Sequence, residues 1–458
     1  MEQVLRYLQE NRSRFVQELI EYVRIPSVSA QPAHKEDMQR CARWIAQKAT
    51  SAGLTTQIFP TRGHPVVLAR TTRRRGRPHF MVYGHYDVQP AEPFELWKSP
   101  PFEPRLEGRF LYGRGASDNK GQHFAHLRAL EAYLQTGAEL PCDISLLIEG
   151  EEEVGSNNLV DFLKKHRREL DVDAVVISDT GTPSVKQPAV TYSLRGIIAL
   201  EIIVRGPSRD LHSGIFGGSV DNPALVLSQM LAQVRDKNGK ITIPGFYDDV
   251  RALTPKERRE MAKLKFDQAQ YAKFLGVPRL FGEKGFTPNE QRSARPTFEI
   301  NGLTSGYQGD GSKTIVPSWA RAKVTCRLVA NQKPEKIRKA VESFFKRIAP
   351  PTVRVDVRGG HGGEPYMLDP ESPMVEAARA ALRKSFKADA ILLREGGSIP
   401  IVNEFRAILG VDTLMIGLAL PEDNAHSPNE RFSLDCFEKG MLMSAHLWPQ
   451  LSSAWERV

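Results

Sequence analysis

The stretch that decides the fold is Met81–Pro90, MVYGHYDVQP. Its first residues continue an apolar run that begins at Phe80, and a short apolar run of this kind predicts a buried β-strand. Gly84 is expected to end the strand, and His85 and Asp87 follow with one residue between them. Side chains two positions apart on an extended segment point to the same side. An imidazole and a carboxylate are therefore expected to leave the end of one strand together.

The sequence after this stretch alternates between helix and strand patterns. Strands are predicted at 144–148 and 174–178, and helices at 122–135 and directly after Ser156. This alternation indicates an α/β fold, with a mostly parallel sheet and helices on both faces. In such sheets, ligands bind outside the carboxyl ends of the strands.

The pattern changes in the middle of the chain. Segments 197–204 and 321–329 alternate between apolar and polar residues, which is typical of a sheet with one exposed face. The polar segment 254–292 predicts a helix followed by a long surface loop, and the glycine-rich run Gly359–Gly363 predicts a flexible joint. We therefore expect an inserted α+β domain, and the predicted division is 1–194 and 366–458 for the α/β domain and 195–365 for the insertion.

The composition is that of a globular protein. The chain has 458 residues, of which 41% are hydrophobic and 26% are charged, so it is not of the disordered class. No apolar run approaches the roughly 18 residues of a membrane helix. The four cysteines are widely spaced, which indicates neither a disulfide framework nor a cysteine zinc site. A cytoplasmic protein without a membrane partner is expected.

The net charge of +9 raises the question of an acidic partner. The sharpest basic cluster is Arg70–Arg77, between two predicted strands and beside Gly76 and Pro78. No aromatic residues interleave with these arginines, so a solvated loop is favoured over a nucleic-acid contact. No nucleic-acid partner is predicted.

Residues of the metal-ligand type follow several predicted strand ends and glycine-rich turns: His85, Asp118, Glu152, Glu153, Asp179 and His426. Any one of them alone could be an ordinary polar residue, and acidic runs are commonly solvated faces. Together, two histidines and three carboxylates suit two divalent ions such as zinc or manganese, which could share Asp118. A second glutamate would then be free to take a proton from metal-bound water, a common route to amide hydrolysis.

Several motifs resemble those of a known family. The runs GHYDVQP (84–90), GRGASDNKG (113–121), EGEEEVGS (149–156), ISD (177–179) and NAHSPNE (424–430) are similar to the metal-site motifs of the M20 family of co-catalytic zinc peptidases. The runs DLHSG (210–214), GSKTIVP (311–317), CRLV (326–329) and REGGSIP (394–400) resemble its dipeptidase branch, which includes the carnosine and cytosolic non-specific dipeptidases.

The resemblance implies a role for each candidate at the metal site. It assigns one ion to His85, Asp118 and Asp179, and the other to Asp118, Glu153 and His426. Glu152 would be the general base for a metal-bridging water, and Asp87 would orient the site. Zinc is the expected metal and manganese the alternative. No role is expected for the remaining candidates Glu151, His123, His126 and His361, and His123 and His126 are predicted to be surface or packing residues.

The resemblance also implies how substrate is bound. The α/β domain would be catalytic, and the insertion would be a lid and dimerisation domain that carries His212 into the partner subunit's site. Arg327 would bind the substrate's C-terminal carboxylate, and Thr314 and Ser398 would contact substrate. The implied reaction is hydrolysis of dipeptides or short peptides with a free C-terminal carboxylate. The alternative is an N-acyl-amino-acid deacylase of the acetylornithine or succinyl-diaminopimelate type.

Overall fold

The computed structural model describes residues 1–264 and 266–455. The strands are β1 (Thr55–Phe59), β2 (Val66–Arg70), β3 (His79–His85), β4 (Arg105–Glu107), β5 (Phe110–Tyr112), β6 (Asp143–Glu149), β7 (Ala174–Ile177), β8 (Ala189–Leu194), β9 (Gly196–Arg205), β10 (Leu211–His212), β11 (Thr297–Ser305), β12 (Ile315–Val316), β13 (Trp319–Leu328), β14 (Arg354–Gly363), β15 (Tyr366–Met367), β16 (Ile391–Glu395), β17 (Thr413–Ile416) and β18 (Arg431–Ser433).

The helices are α1 (Glu2–Glu10), α2 (Arg12–Val23), α3 (Lys35–Ser51), α4 (Gly121–Thr136), α5 (Asn157–Leu170), α6 (Ser213–Phe216), α7 (Pro223–Ala232), α8 (Pro255–Lys263), α9 (Gln268–Phe274), α10 (Pro288–Ala294), α11 (Pro334–Ile348), α12 (Pro373–Phe386), α13 (Ile401–Glu404) and α14 (Leu434–Trp455). Among the residues that the structure describes, no helix combines the length and the apolar character that crossing a lipid bilayer demands.

The chain divides into two compact units. Unit 1 contains Met1–Tyr192, Leu368–Leu393 and the described residues from Ile401 onward, and unit 2 contains Ser193–Met367 and Arg394–Pro400. These divisions lie next to the boundaries expected at 194/195 and 365/366. The predicted division and the structure differ at Arg394–Pro400, which the prediction includes in the second part of the α/β domain. This segment belongs to unit 2, where the amide N–H of Arg195 donates to the Gly397 carbonyl over 3.1 Å.

Unit 1 is built on a sheet in which neighbouring strands run β1-β2-β6-β3-β7-β17-β8. The central pairs β6/β3, β3/β7 and β7/β17 are parallel, and the flanking pairs are antiparallel. Every residue of β3 and β6 is buried, as expected for central parallel strands covered on both faces. The predicted α/β class is confirmed, and the carboxyl ends of four parallel strands meet at one edge.

The prediction that Gly84 ends its strand is wrong. β3 continues through Gly84 to His85, and Gly84 lies opposite Ile148 of β6. A Cβ atom at residue 84 would stand 2.5 Å from the Cβ atom of His123 on α4. The glycine is therefore explained by the close approach of α4 to the strand and not by a turn.

Unit 2 contains an antiparallel sheet with the strand order β11-β13-β9-β14. Along β13 every second residue is buried, as the alternating sequence predicts, and α7 and α11 pack on the sheet. The apolar core between them includes Ile202, Val324, Val341 and Phe345. This helix-on-sheet arrangement confirms the α+β class of the insertion.

Two segments of unit 2 are more regular than the sequence predicts. Gly359–Gly363, predicted as a flexible joint, is part of β14 and pairs with β9 across a register shift. A Cβ atom at Gly362 would stand 2.0 Å from the Ile197 carbonyl oxygen, so the glycine permits close backbone approach. Segment 254–292, predicted as one helix and a long loop, contains α8 and α9 and most of α10.

Candidate metal centre

The candidate ligands lie at the carboxyl ends of the parallel strands of unit 1. His85 is the last residue of β3, Asp179 lies two residues past β7, and Glu152 and Glu153 lie in the helical turn after β6. Asp118 lies in the helical turn directly before α4. The last ligand candidate follows β17 at residue 426. The structure therefore brings all six predicted residues to one sheet edge.

The first group of candidate ligands is His85, Asp118 and Asp179, whose ligand atoms all lie within 4.8 Å of one another. The Nε2 atom of His85 is 3.1 Å from Asp118 Oδ1 and 3.7 Å from Asp179 Oδ2. His85 is fully buried. One imidazole and two carboxylates thus converge on a single point.

The second group is Asp118, Glu153 and His426, whose ligand atoms also lie within 4.8 Å of one another. The Nε2 atom of His426 is 2.9 Å from Asp118 Oδ2 and 3.3 Å from Glu153 Oε2. Asp118 belongs to both groups, because its Oδ1 atom faces His85 and its Oδ2 atom faces His426. A carboxylate placed in this way could serve two divalent ions at once.

The residues fit a pair of divalent ions. Among the described residues, the buried atoms His85 Nε2 and Glu153 Oε1 have no hydrogen-bond partner. Buried polar atoms without a partner are rare and call for a ligand. The four carboxylates at residues 118, 152, 153 and 179 would carry a charge that two divalent cations balance. Imidazole and carboxylate ligands suit zinc and manganese.

The pKa values of the cluster reflect its crowded charges. Burial raises the pKa of Glu152 well above its ordinary value, and the charges of Asp179 and Glu153 raise it further against the opposing effect of His85. Burial also raises the pKa of Glu153. The pKa of His426 is raised to about 10, chiefly by its contact with Asp118. Bound cations would remove the repulsion between these carboxylates.

Asp87 ties the strand end to the glutamate turn. Its carboxylate accepts hydrogen bonds from the amide N–H groups of Glu152 at 3.2 Å and Glu153 at 3.1 Å, and from the Ser29 hydroxyl at 2.7 Å. The Nδ1 atom of His85 lies 3.1 Å from the Asp87 backbone oxygen and 3.4 Å from its carboxylate. Asp87 therefore contacts both His85 and the glutamate turn, and the His85 Nε2 atom is left to face the carboxylates of Asp118 and Asp179.

Glu430 supports Asp118 and was not singled out from the sequence. It is fully buried and accepts hydrogen bonds from the amide N–H groups of Gly115 at 2.8 Å and of Ser117 and Asp118 at 3.0 Å each. Arg114 donates over 2.8 Å to Oε2, the oxygen that also accepts from Gly115, whereas Ser117 and Asp118 donate to Oε1. The sequence feature that could have identified it is its position as the last residue of NAHSPNE (424–430), a motif in which this acid had no assigned role.

The four expected substrate-binding residues lie in unit 2 as two pairs. The amide N–H of Ser213, next to His212, donates to the Thr314 carbonyl over 3.0 Å. Arg327 donates through Nη1 to the Ser398 hydroxyl over 3.1 Å. His212 is exposed, and its Nδ1 atom accepts a hydrogen bond from the Gly214 amide over 3.0 Å. In a neutral imidazole this leaves the proton on Nε2.

Two histidines predicted as surface or packing residues have polar contacts in the interior. His123 and His126 are buried on α4, and the ring nitrogens of His126 lie 2.9 Å from the hydroxyls of Ser444 and Ser178. Helix α4 is buried on nearly all sides, so its histidines can be held only by internal partners. The side chain of His361 lies outside the described part of the structure.

The arginine cluster at 70–77 is paired within unit 1. Four of its arginines contact carboxylates, and the pairs are Arg70–Glu169 at 2.9 Å, Arg73–Asp171 at 3.3 Å, Arg74–Asp143 at 3.6 Å and Arg77–Glu139 at 2.8 Å. These contacts account for much of the local positive charge without any external partner.

Comparison with known proteins extends over both units. A model of Peptidase family M20/M25/M40 matches residues 81–450. The chain is 32% identical, over 94% of its length and 93% of the other protein, to Cys-Gly metallodipeptidase DUG1 of Candida albicans. Human carnosine dipeptidase 1 matches with a TM-score of 0.80 at 28% identity, covering 99% and 98% of the two chains. The M20 family metallo-carboxypeptidase Sso-CP2 of Sulfolobus solfataricus matches with a TM-score of 0.80 at 31% identity, covering 95% and 98%.

Proposed function

The chain belongs to peptidase family M20/M25/M40, and from this membership we propose that it is a dinuclear metallopeptidase that hydrolyses dipeptides and other short peptides with a free C-terminal carboxylate. The observation that carries the proposal is the pair of ligand groups that share Asp118. His85, Asp118 and Asp179 would hold one ion, and Asp118, Glu153 and His426 the other. Zinc is the proposed metal, with manganese as the alternative. When bound, the ions polarise the scissile carbonyl and lower the pKa of water.

Glu152 is proposed as the general base. It belongs to neither ligand group, yet it directly precedes the ligand Glu153. It accepts a proton from the attacking water as the water oxygen bonds to the carbonyl carbon. It then passes that proton to the nitrogen of the leaving amine as the carbon–nitrogen bond breaks. Asp87 holds the backbone of Glu152 and so limits the positions that its side chain can adopt.

The free carboxylate of the substrate is assigned to Arg327. Ser398 supports this role, because its hydroxyl accepts from Arg327 and donates to the Arg195 carbonyl, which fixes the position of the guanidinium. Burial, together with the nearby charge of Arg327, lowers the pKa of Arg195 to about 10. Two guanidinium groups that influence each other in this way favour an anion nearby, and a planar carboxylate suits the donors of a guanidinium.

His212 and Thr314 are proposed to contact the substrate near the scissile bond. The Nδ1 atom of His212 is occupied by the Gly214 amide, so the Nε2–H group is available to donate to the carbonyl oxygen as negative charge develops there. We propose that His212 acts in the partner subunit's site of a homodimer. Exposed apolar side chains in the same unit support a self-association surface: Ile215, Phe216, Leu225, Ile300 and Leu303.

The relatives favour a peptide over an acylated amino acid as substrate. The Candida albicans relative is named a Cys-Gly metallodipeptidase, the human structure a carnosine dipeptidase, and the Sulfolobus solfataricus structure a carboxypeptidase. All three names describe cleavage next to a residue with a free carboxylate.

A cytoplasmic location is also proposed, supported by four cysteines that are all buried free thiols.

The test is hydrolysis of a dipeptide panel that includes Cys-Gly and β-Ala-His, before and after chelation, with zinc or manganese added back. We expect cleavage that disappears with chelation and returns with metal. The matched control substrates are N-acetylated amino acids with the same C-terminal residue. Cleavage of these and of no dipeptide would replace the proposal with the deacylase function.

A further inference from the structure

A chain of buried hydrogen bonds runs beneath the metal centre from Tyr22 to Asp179. The Tyr22 hydroxyl is 3.1 Å from His123 Nε2, and His123 Nδ1 is 2.9 Å from Asn119 Oδ1. The Asn119 amide nitrogen then donates to Asp179 Oδ1 over 2.8 Å. Tyr22, His123 and Asn119 are each at most 2% exposed. The chain thus links helices α2 and α4 to a candidate metal ligand without passing through solvent.

The direction of each bond in this chain follows from its fixed partners. The Asn119 amide nitrogen also donates to the Ser178 carbonyl over 2.6 Å, and its oxygen faces the His85 amide N–H at 3.4 Å. These backbone groups determine which way the Asn119 amide points. Its oxygen can only accept, so Nδ1 of His123 carries the proton and Nε2 accepts from Tyr22. Burial lowers the pKa of His123 well below its ordinary value, which keeps the ring neutral.

Gly84 provides the space for this chain. A Cβ atom at residue 84 would stand 2.5 Å from the Cβ atom of His123 and 3.0 Å from Asn119 Oδ1. Any other residue at this point of β3 would push His123 or Asn119 away. The glycine inside the strand is therefore accounted for by the same chain of contacts.

The chain of hydrogen bonds supports only one of the two groups of proposed ligands. It holds Asp179 by Oδ1, which leaves Oδ2 to face His85 Nε2 at 3.7 Å. In the second group, the Glu153 carboxylate is held instead by the Gln89 amide over 2.7 Å. Building on the two-ion site proposed above, we propose that His123 is a positioning residue. Through Asn119, it fixes Asp179 for the ion at the His85 site and leaves the ion at the His426 site unaffected.

The test compares His123→Leu in two single-site backgrounds, each titrated with Co²⁺ as metal-free protein. In a His426→Ala background, where the His85 site remains, we expect His123→Leu to weaken Co²⁺ binding by roughly 10–100-fold. We also expect a change in the visible absorption spectrum of the bound Co²⁺. In a His85→Ala background, where the His426 site remains, affinity and spectrum should be unchanged. His123→Gln, which can still donate to Asn119, should restore most of the lost affinity.

A second pair of variants covers the case in which His123→Leu does not fold. Tyr22→Phe removes one buried hydroxyl from the hydrogen-bond chain, and Tyr133→Phe removes a hydroxyl of α4 outside it, which donates to the Ala445 carbonyl. Only Tyr22→Phe should weaken Co²⁺ at the His85 site. Equal weakening in both backgrounds, or none in either, would overturn the positioning role. Wild-type protein that binds fewer than two Co²⁺ ions would instead overturn the proposed two-ion function on which it rests.

Discussion

At the scale of single residues, Glu151 and Glu152 are neighbours whose side chains have different surroundings. Glu151 accepts a hydrogen bond from the Asn158 amide over 3.0 Å, whereas Glu152 lies among the charges of the metal centre. We expect Glu152→Gln to lower kcat by roughly 10²–10⁴-fold, because the proposed general base is lost. The variant should still bind two ions, since Glu152 belongs to neither group of candidate ligands. Steady-state kinetics and metal analysis measure the two effects separately.

The matched control for this substitution is Glu151→Gln, the same change one residue earlier. Its kcat should stay within about twofold of the wild type, because no proton transfer in the proposed mechanism involves the Glu151 side chain. Near-normal turnover of Glu152→Gln would remove Glu152 from the mechanism. Loss of bound metal would reassign it as a ligand.

Glu430 offers a prediction about stability. It accepts three backbone hydrogen bonds and a buried contact from Arg114. Glu430→Gln should lower the free energy of unfolding of the metal-free protein by about 3 kcal/mol, because Arg114 would be left without its buried carboxylate. Urea denaturation measures this effect. The control is Glu438→Gln, which removes a carboxylate that pairs with the partly exposed Arg109 and Arg12 and should cost less than about 1 kcal/mol.

The residues that were predicted from the sequence are those whose chemistry is distinctive. An imidazole or a carboxylate after a strand end is conspicuous in a sequence, so both groups of candidate ligands contain only residues that the sequence predicts. Asn119 and Glu430 escaped prediction because their task depends on burial and on backbone groups far along the chain. Glu430 contacts Asp118 across 312 residues of sequence, and periodicity carries no information about such a contact.

At the scale of elements, segment 254–292 shows which local signals were overlooked. The runs Thr254–Glu257 and Thr287–Glu290 share the pattern Thr-Pro-x-Glu. In each, the threonine hydroxyl accepts from the glutamate amide and the glutamate carboxylate accepts from the threonine amide. This is a capping box with proline at the first helical position, and it starts α8 and α10. The one helix expected in this segment is consistent with α8, whereas the start of α10, equally readable from the sequence, lies in the stretch that was expected to be a loop.

The first of these capping boxes predicts a pH effect. Glu257 is buried, which opposes its ionisation, but the Thr254 amide, Arg251 and Arg394 together lower its pKa from 4.5 to about 2. The unfolded chain therefore binds a proton on this group more readily than the folded protein does. The stabilisation by ionised Glu257 is complete above about pH 5 and is lost as the pH falls toward 2.

Glu257→Gln should therefore lower the free energy of unfolding by about 2 kcal/mol at pH 7, the contribution of hydrogen bonds to a charged group. The difference from the wild type should shrink steadily between pH 5 and pH 2. Denaturant unfolding across this range measures it. Glu260→Gln removes a carboxylate of α8 that pairs with the exposed Lys263, and it should show almost no difference at any of these pH values. A constant difference for Glu257→Gln would contradict the pKa argument.

At the scale of the whole molecule, the two fold classes followed from hydrophobic patterning. Buried apolar strands alternating with helices indicated the parallel sheet, and alternating strands indicated the sheet of unit 2. The hydrophobic pattern could not show that Arg394–Pro400 belongs to unit 2. This segment follows directly from strand residues of unit 1, yet its contacts include Arg195 and Glu257, well over a hundred residues earlier in the chain. Contacts of that range are decided by packing and not by local sequence.

The proposed sharing of His212 between subunits makes a prediction that single-chain substitutions cannot test. His212→Ala keeps every proposed metal ligand but lacks the proposed carbonyl contact. Asp118→Ala keeps His212 but lacks the ligand that the two ions are proposed to share. Each variant alone should be nearly inactive. In a hybrid dimer, the intact metal site of the first chain would receive His212 from the second, so one of the two sites would work.

Random mixing of equal amounts makes half of the dimers hybrid, and each hybrid has one working site of two, so about a quarter of the wild-type activity should return. The measurement is dipeptide hydrolysis after co-expression or subunit exchange. Mixing Asp118→Ala with His426→Ala is the control, because both chains then lack a ligand and no arrangement restores a complete site. Activity that stays at the level of this control would mean that each His212 serves its own subunit, and a monomeric protein in solution would rule out the exchange altogether.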